Sequence, residues 1–319
     1  MTKSHEKGQL QFELWQQCNN HCKFCYNSLR LDHTPDEIKM KSMNGALEKI
    51  SDTSIYDKYD TLAYLGGEFF QGQLNTQEIH DKFFELMRKT EELYEQGYIT
   101  EIWIYATMTI GDQKDLFDTL KIFKKPINDG NFWILTSYDT YGRFHTQKME
   151  ETWHNTMRKM RDLYPNLRLN VTSILSQDLI TKYLNGTFSF KKIMNDYDCV
   201  FFLKQPGNGD FTKEEMEKRV GNFFLKRDDF IKFLRKFKNE ESDDMWTKLF
   251  NIKYRADTLY RNYNDPMRLM ELTSRHKDVG KEEDGCAVAP CGHLTNYQAY
   301  IDSDACVICD RNMVDGDWT

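Results

Sequence analysis

Residues 11–25 read QFELWQQCNNHCKFC, an apolar run that passes without a break into a loop holding three cysteines. QFELW (11–15) has the composition of a half-buried β-strand. The residues after it do not continue that pattern. Cys18, Cys22 and Cys25 stand at a C-x3-C-x2-C spacing, with Phe24 just before the last. The polar residues Asn19, Asn20, His21 and Lys23 belong on a loop, which argues against three cysteines that merely fill a core. Three thiolates complete a tetrahedral zinc site only with a fourth ligand, for which His21 is at hand. On a four-iron cluster, three cysteines leave one iron without a protein ligand. Both readings stand on spacing alone.

The same strand-then-loop pattern recurs outward along the chain. TLAYL (61–65), EIWIYATM (101–108), NFWILTSY (131–138), RLNVTSIL (168–175) and CVFFLKQ (199–205) are short β-rich runs, and the stretches between them carry apolar residues at helical spacing. Alternating β and α units predict an α/β fold with a parallel sheet. Thr34 and Thr76 are expected to cap the first two helices. In such sheets the active groups gather at the carboxyl ends of the strands. The unusual residues fall there: the cysteine loop after the first strand, GGEFFQG after the second, TMTIGD after the third, SYDTYGRF after the fourth and KQPGNGD after the sixth.

Composition narrows the class. The 319 residues are 39% hydrophobic and 14% aromatic, which suits an ordered enzyme-sized protein rather than a disordered one. A net charge of −7 offers no global positive field for a nucleic-acid backbone. No window reaches the roughly 18 apolar residues of a membrane span, and no signal-like run opens the chain, so a cytoplasmic protein is expected. In a reducing compartment, clustered cysteines bind metal or do chemistry. Cys199, alone at the head of CVFFL, is expected to be a buried thiol.

Past residue 211 the pattern changes to charged, aromatic-rich helical stretches such as KRDDFIKFLRKFKNE, followed by the polar linker KDVGKEEDG. Trp246, Phe250, Tyr254, Tyr260 and Tyr263 there either line a cavity or pack helices against the sheet. The expected division is a β/α domain over 1–210, a helical extension over 211–280 and a cysteine module over 281–319. In that module Cys286, Cys291, Cys306 and Cys309 form a paired-knuckle spacing that suits zinc or a second iron–sulfur cluster.

CNNHCKFC after a first strand resembles the C-x3-C-x-aromatic-C signature of the radical S-adenosylmethionine (radical SAM) superfamily, and LGGE (65–68) resembles its Gly-Gly-Glu element. The resemblance covers about residues 9–210. It implies a partial (β/α)6 TIM-like barrel, with the helical carboxy-terminal extension and the small four-Cys metal-binding module beyond it. It also implies that Cys18, Cys22 and Cys25 hold a 4Fe-4S cluster. The open iron would chelate S-adenosyl-L-methionine, and one electron would cleave it to a 5′-deoxyadenosyl radical that takes a substrate hydrogen. Gly66, Gly67 and Glu68 would meet the ligand's ammonium, with Phe24 beside the cluster. Ser137 and Asp139 match positions that bond the ribose, Arg143 could meet the carboxylate, and Asn170, Thr172 and Ser173 could face inward. A reductant protein such as a flavodoxin or ferredoxin is the implied partner.

The carboxy-terminal cysteines resemble one half of the auxiliary-cluster extensions of some peptide-modifying radical enzymes, which usually carry about seven cysteines rather than four. Together with the acidic charge this favours a peptide or protein substrate. A nucleotide or RNA base is the alternative, through a basic mouth built from Arg143, Lys204 and Lys213. A reading of another class is a non-catalytic docking protein with two zinc knuckles.

Overall fold

The computed structural model describes residues 7–22, 34–174, 176–204, 229, 232–233 and 236–237, and the backbone of four short strands between 286 and 312. Six strands alternate with helices in chain order. These are β1 (Gly8–Glu13), α1 (Asp36–Ser51), β2 (Tyr59–Leu65), α2 (Gln77–Glu95), β3 (Glu101–Tyr105), α3 (Lys114–Ile122), α4 (Lys124–Asn128) and β4 (Phe132–Ser137). After them come α5 (Gln147–Leu163), β5 (Arg168–Ile174), α6 (Gln177–Leu184), α7 (Phe190–Tyr197) and β6 (Val200–Lys204). The strands form one parallel sheet in the order β1-β2-β3-β4-β5-β6. Spatial order equals chain order throughout the sheet.

Register explains which residues are apolar. Side chains in register on neighbouring parallel strands share a face. Phe12, Tyr64, Ile104, Ile134 and Leu169 form one such row, with Leu10, Leu62, Ile102 and Phe132 a second. Both rows join the core with the helices. The helices meet them with stripes at helical spacing: Trp153, Met157 and Met160 on α5, and Ile79, Phe83, Leu86 and Met87 on α2. Trp153 is fully buried and its indole N–H donates to Thr136 Oγ1 at 3.1 Å, so its one polar atom is satisfied. Beyond β6, Phe233 and Phe237 are fully buried and pack on Tyr183 and Phe190.

The opposite face of the sheet carries a row of different character: Ala63, Trp103, Trp133 and Arg168 in register. The two indoles lie 5.9 Å apart, and the Arg168 guanidinium sits 5.0 Å over the Trp133 ring.

Two sequence expectations are corrected. β1 ends at Glu13, so Leu14 and Trp15 lie beyond it; both are buried because the segment leading to the cysteine loop is itself packed into the core. Thr34 does not cap α1. Pro35 holds the cap position without a side-chain bond, and the Thr34 amide donates to Gln17 Oε1 at 3.3 Å. Thr76 does cap α2, its hydroxyl accepting from Ile79 N. Thr146, Ser176 and Ser189 cap α5, α6 and α7 in the same way.

Near the carboxy terminus, β7 (Cys286–Val288) pairs antiparallel with β8 (Leu294–Asn296), and β9 (Ala305–Cys306) with β10 (Arg311–Asn312). Cys291, Cys309, the five aromatics of 246–263, Lys213 and, apart from 229, 232–233 and 236–237, the expected 211–280 extension lie outside the described residues. No helix among the described residues is long and apolar enough to cross a membrane.

Candidate functional site

The loops at the carboxyl ends of β1 and β2 are stitched together by backbone before any side chain enters. Gly67 N–H donates to Trp15 O at 2.8 Å and Glu68 N–H to Gln17 O at 3.0 Å. A Cβ on Gly67 would stand 2.1 Å from Gln17 O and 2.3 Å from Gln16 O, and one on Gly66 would stand 2.3 Å from Trp15 O. Glycine is required here because two stretches of main chain touch. Neither residue has a positive φ, and the close neighbour is the chain's own approach to Cys18.

Glu68 continues the stitching. Its carboxylate accepts from Phe70 N at 2.9 Å and from Thr107 N, while its carbonyl accepts from the Trp15 indole at 3.1 Å. It is 1% exposed. Burial raises its pKa, and the Thr107 and Phe70 bonds and the Arg143 charge pull the other way. The Glu68 carboxylate thus holds the loop after β2 to the loop after β3.

Cys18 and Cys22 are both buried and converge on Asn20. The Asn20 amide N–H lies 3.4 Å from Cys18 Sγ, and its side-chain Nδ2 lies 3.4 Å from Cys22 Sγ. Asn20 has no exposed surface. Its Oδ1 accepts from Thr109 at 2.6 Å and its carbonyl from His145 Nε2 at 2.7 Å. Gln71 Nε2 donates to Thr109 at 2.8 Å and also to Thr107, and its carbonyl accepts from Asn19 at 2.7 Å. Burial, and then the nearby Glu68, push the Cys18 thiol up to about 12, against the Asn20 amide and Arg143. A cation bound to the sulfur reverses that balance.

Arg143 supplies the counter-charge of the site. It is buried, and its guanidinium favours the ionised forms of Cys18, Glu68 and Asp139 alike. Asp139, 2% exposed, closes the loop after β4. Its Oδ1 accepts from Tyr141 N at 3.0 Å and Gly142 N at 2.5 Å. Burial nevertheless lifts its pKa to about 6. Backbone strain collects in the same loops: His21, Met108 and Gln113 all have φ between 44° and 59° without being glycine.

Gly66, Gly67, Glu68, Asp139, Arg143, Cys18 and Cys22 are therefore brought together. Ser137 ends β4, and Asn170 and Thr172 lie within β5; all three are half-buried, with Ser137 and Thr172 in register. Among the described residues, Asn170 Oδ1 and Ser173 Oγ are buried without a hydrogen-bond partner. Phe24 and Cys25 lie outside the described residues. Among the described residues no three His, Cys, Asp or Glu side chains gather as a metal site. Two soft thiols on one buried amide, with a cationic neighbour, are a donor set that suits a thiophilic group. Cys199 is a buried thiol, as expected.

Sequence reading missed Asn20, Gln71, Thr107, Thr109 and His145 as site residues. Their signal was position alone: polar residues in the loops that follow β1 to β4. The fold and this cluster define an α/β protein with a buried polar site at the carboxyl edge of a parallel sheet. No family model matches the chain, and no curated protein is significantly similar to it.

Proposed function

We propose that this chain is a radical SAM enzyme, built as a partial (β/α)6 barrel, with Cys18, Cys22 and Cys25 holding a 4Fe-4S cluster. The observation that carries the reading is the seating of the Gly66–Gly67–Glu68 edge on the backbone of residues 15–17. That contact ties the two motifs of the resemblance into one site. When bound, the cluster and S-adenosylmethionine supply a 5′-deoxyadenosyl radical that removes hydrogen from carbon. The chain's own residues hold and shield that chemistry. Asn20 presents N–H donors to two cysteine sulfurs, and Glu68 locks the loops around them. Arg143 offers a planar donor fork suited to a carboxylate, next to Asp139. Deep burial of all four excludes water from the cluster's surroundings.

A peptide or protein is the proposed substrate, supported by the net charge of −7 and by the carboxy-terminal cysteine module. Of the three cations that a nucleotide reading would place at a basic mouth, Arg143 is buried beside Glu68 and Asp139, and the side chains of Lys204 and Lys213 lie outside the described residues. The second metal site is proposed as zinc or an auxiliary cluster, and the electron donor as a flavodoxin or ferredoxin.

The test is anaerobic reconstitution followed by iron, sulfide and zinc analysis and an assay for 5′-deoxyadenosine with dithionite. About four irons and one zinc per chain, or about eight irons, with nucleoside formed, is the expected result. Zinc without iron, and no nucleoside, would overturn the reading in favour of the docking protein.

A further inference from the structure

We propose that Asn20 is a positioning residue that tunes the cluster's reduction potential through its side-chain amide, and that Thr109 sets the orientation of that amide. The proposal rests on the enzyme reading above. Asn20 is fully buried, and all four of its polar groups are engaged. Two of them face sulfur: the backbone N–H toward Cys18 and Nδ2 toward Cys22. The other two are anchors that reach across the site. Its carbonyl can only accept, so His145 donates from Nε2, which pins the Asn20 backbone to the loop after β4. Its Oδ1 takes the Thr109 hydroxyl, which pins the side chain to the loop after β3.

The polarity of this chain of bonds can be followed from either end. Gln71 Nε2 donates to Thr109 Oγ1, so the Thr109 hydroxyl proton is left for Asn20 Oδ1. Asn20 Oδ1 being occupied, its amide N–H2 is what remains to face Cys22. From the other end, a cluster-bound thiolate accepts and cannot donate. It therefore selects the nitrogen side of Asn20, and through Thr109 the nitrogen side of Gln71. The thiolate end therefore demands the orientation in which the relay Gln71–Thr109–Asn20–Cys22 stands.

Donors to cluster sulfurs stabilise the more negative, reduced state and raise the potential, and outer partners that orient the donor act through it. Thr109 has no bond to sulfur, yet it would tune the cluster. Its separation from Asn20 by 89 residues of chain makes this a property of the fold rather than of the cysteine loop.

The experiment is an EPR-monitored redox titration of the full-length reconstituted protein, following the signal that changes on adding S-adenosylmethionine. That response marks the cluster with an open iron and separates it from any auxiliary cluster. Asn20→Leu removes the Nδ2 donor and leaves the backbone donor to Cys18. The reduction equilibrium is expected to fall about tenfold, a shift of about 59 mV to more negative potential. Thr109→Val is expected to move the potential the same way by less, and Thr109→Ser, which keeps the hydroxyl, to restore the wild-type value. Unchanged potentials in both Asn20→Leu and Thr109→Val at wild-type iron content would overturn the proposal. If Asn20→Leu cannot retain the cluster, Thr109→Val decides alone: a negative shift supports the relay and no shift overturns it. A wild-type protein that takes up no iron overturns the enzyme reading instead, and this inference with it.

Discussion

Substituting alanine at Gly67 tests the contact on which the site depends. The new Cβ would lie 2.1 Å and 2.3 Å from two backbone oxygens, neither of which can rotate away as a side-chain end would. Relief requires the edge of β2 and residues 15–17 to separate by about 1 Å, given ordinary contacts of about 3.5 Å. At that separation the bonds from Gly67 N–H to Trp15 O and from Glu68 N–H to Gln17 O, now 2.8 and 3.0 Å, are lost or badly stretched. Two buried hydrogen bonds at about 1 kcal/mol each, with an overpacking strain of about 1–3 kcal/mol, give a destabilisation of roughly 3–5 kcal/mol. For a domain of this size that lowers the melting temperature by roughly 10 °C. Gly45→Ala is the control: its Cβ meets nothing within 4 Å in the middle of α1, and it should stabilise by about 0.5–1 kcal/mol. Thermal and urea unfolding followed by circular dichroism would measure both. A Gly67→Ala protein within 1 kcal/mol of wild type would refute the backbone-contact argument.

Asp139→Asn keeps Oδ1, which carries both amide bonds, and removes only the charge. Because burial raises the folded pKa from 3.8 to about 6, the stability contributed by protonation is fully present below 3.8 and is lost as pH rises through about 6. The metal-free variant should therefore gain on wild type by about 1.4 kcal/mol between denaturation curves at pH 5 and pH 7.5. Parallel curves would show that the carboxyl ionises without cost. Thr76→Ala removes the cap of α2 and should cost about 1 kcal/mol in the same assay, whereas Thr34→Ala, off the cap position of α1, should cost less than half as much. Cys18→Ala and Cys22→Ala should each abolish iron uptake by the amino-terminal site; iron retained at wild-type levels in both would remove them as ligands.

All six strands were legible because short β-rich runs alternate with helical stretches along the chain, the pattern that a parallel sheet covered by helices requires. Leu14 and Trp15 misled: a docked loop buries consecutive residues, which extends an apolar run past the strand's end. Thr34 looks like a cap, but the Gln17 side chain takes its amide instead. The cysteines and the Gly-Gly-Glu step could be read from sequence because their spacing is local. What the glycines touch could not be, since Gly67 meets residues some fifty positions earlier. Asn20 was visible only as one more polar loop residue. Its role comes from partners 89 and 125 positions away, distances at which a sequence carries no spacing rule.

The sheet's strand order has a consequence in time. With strands laid down in chain order, each unit can add to the growing edge as it leaves the ribosome. The cysteine loop is made first, but Gly67, Thr109 and His145, which fasten it, follow over the next 125 residues. At roughly 5–20 residues per second, Cys18 and Cys22 spend on the order of ten seconds as ordinary accessible thiols before their partners arrive. During synthesis these thiols are open to oxidants and stray metals, and the locking loops close that window in the order β2, β3, β4.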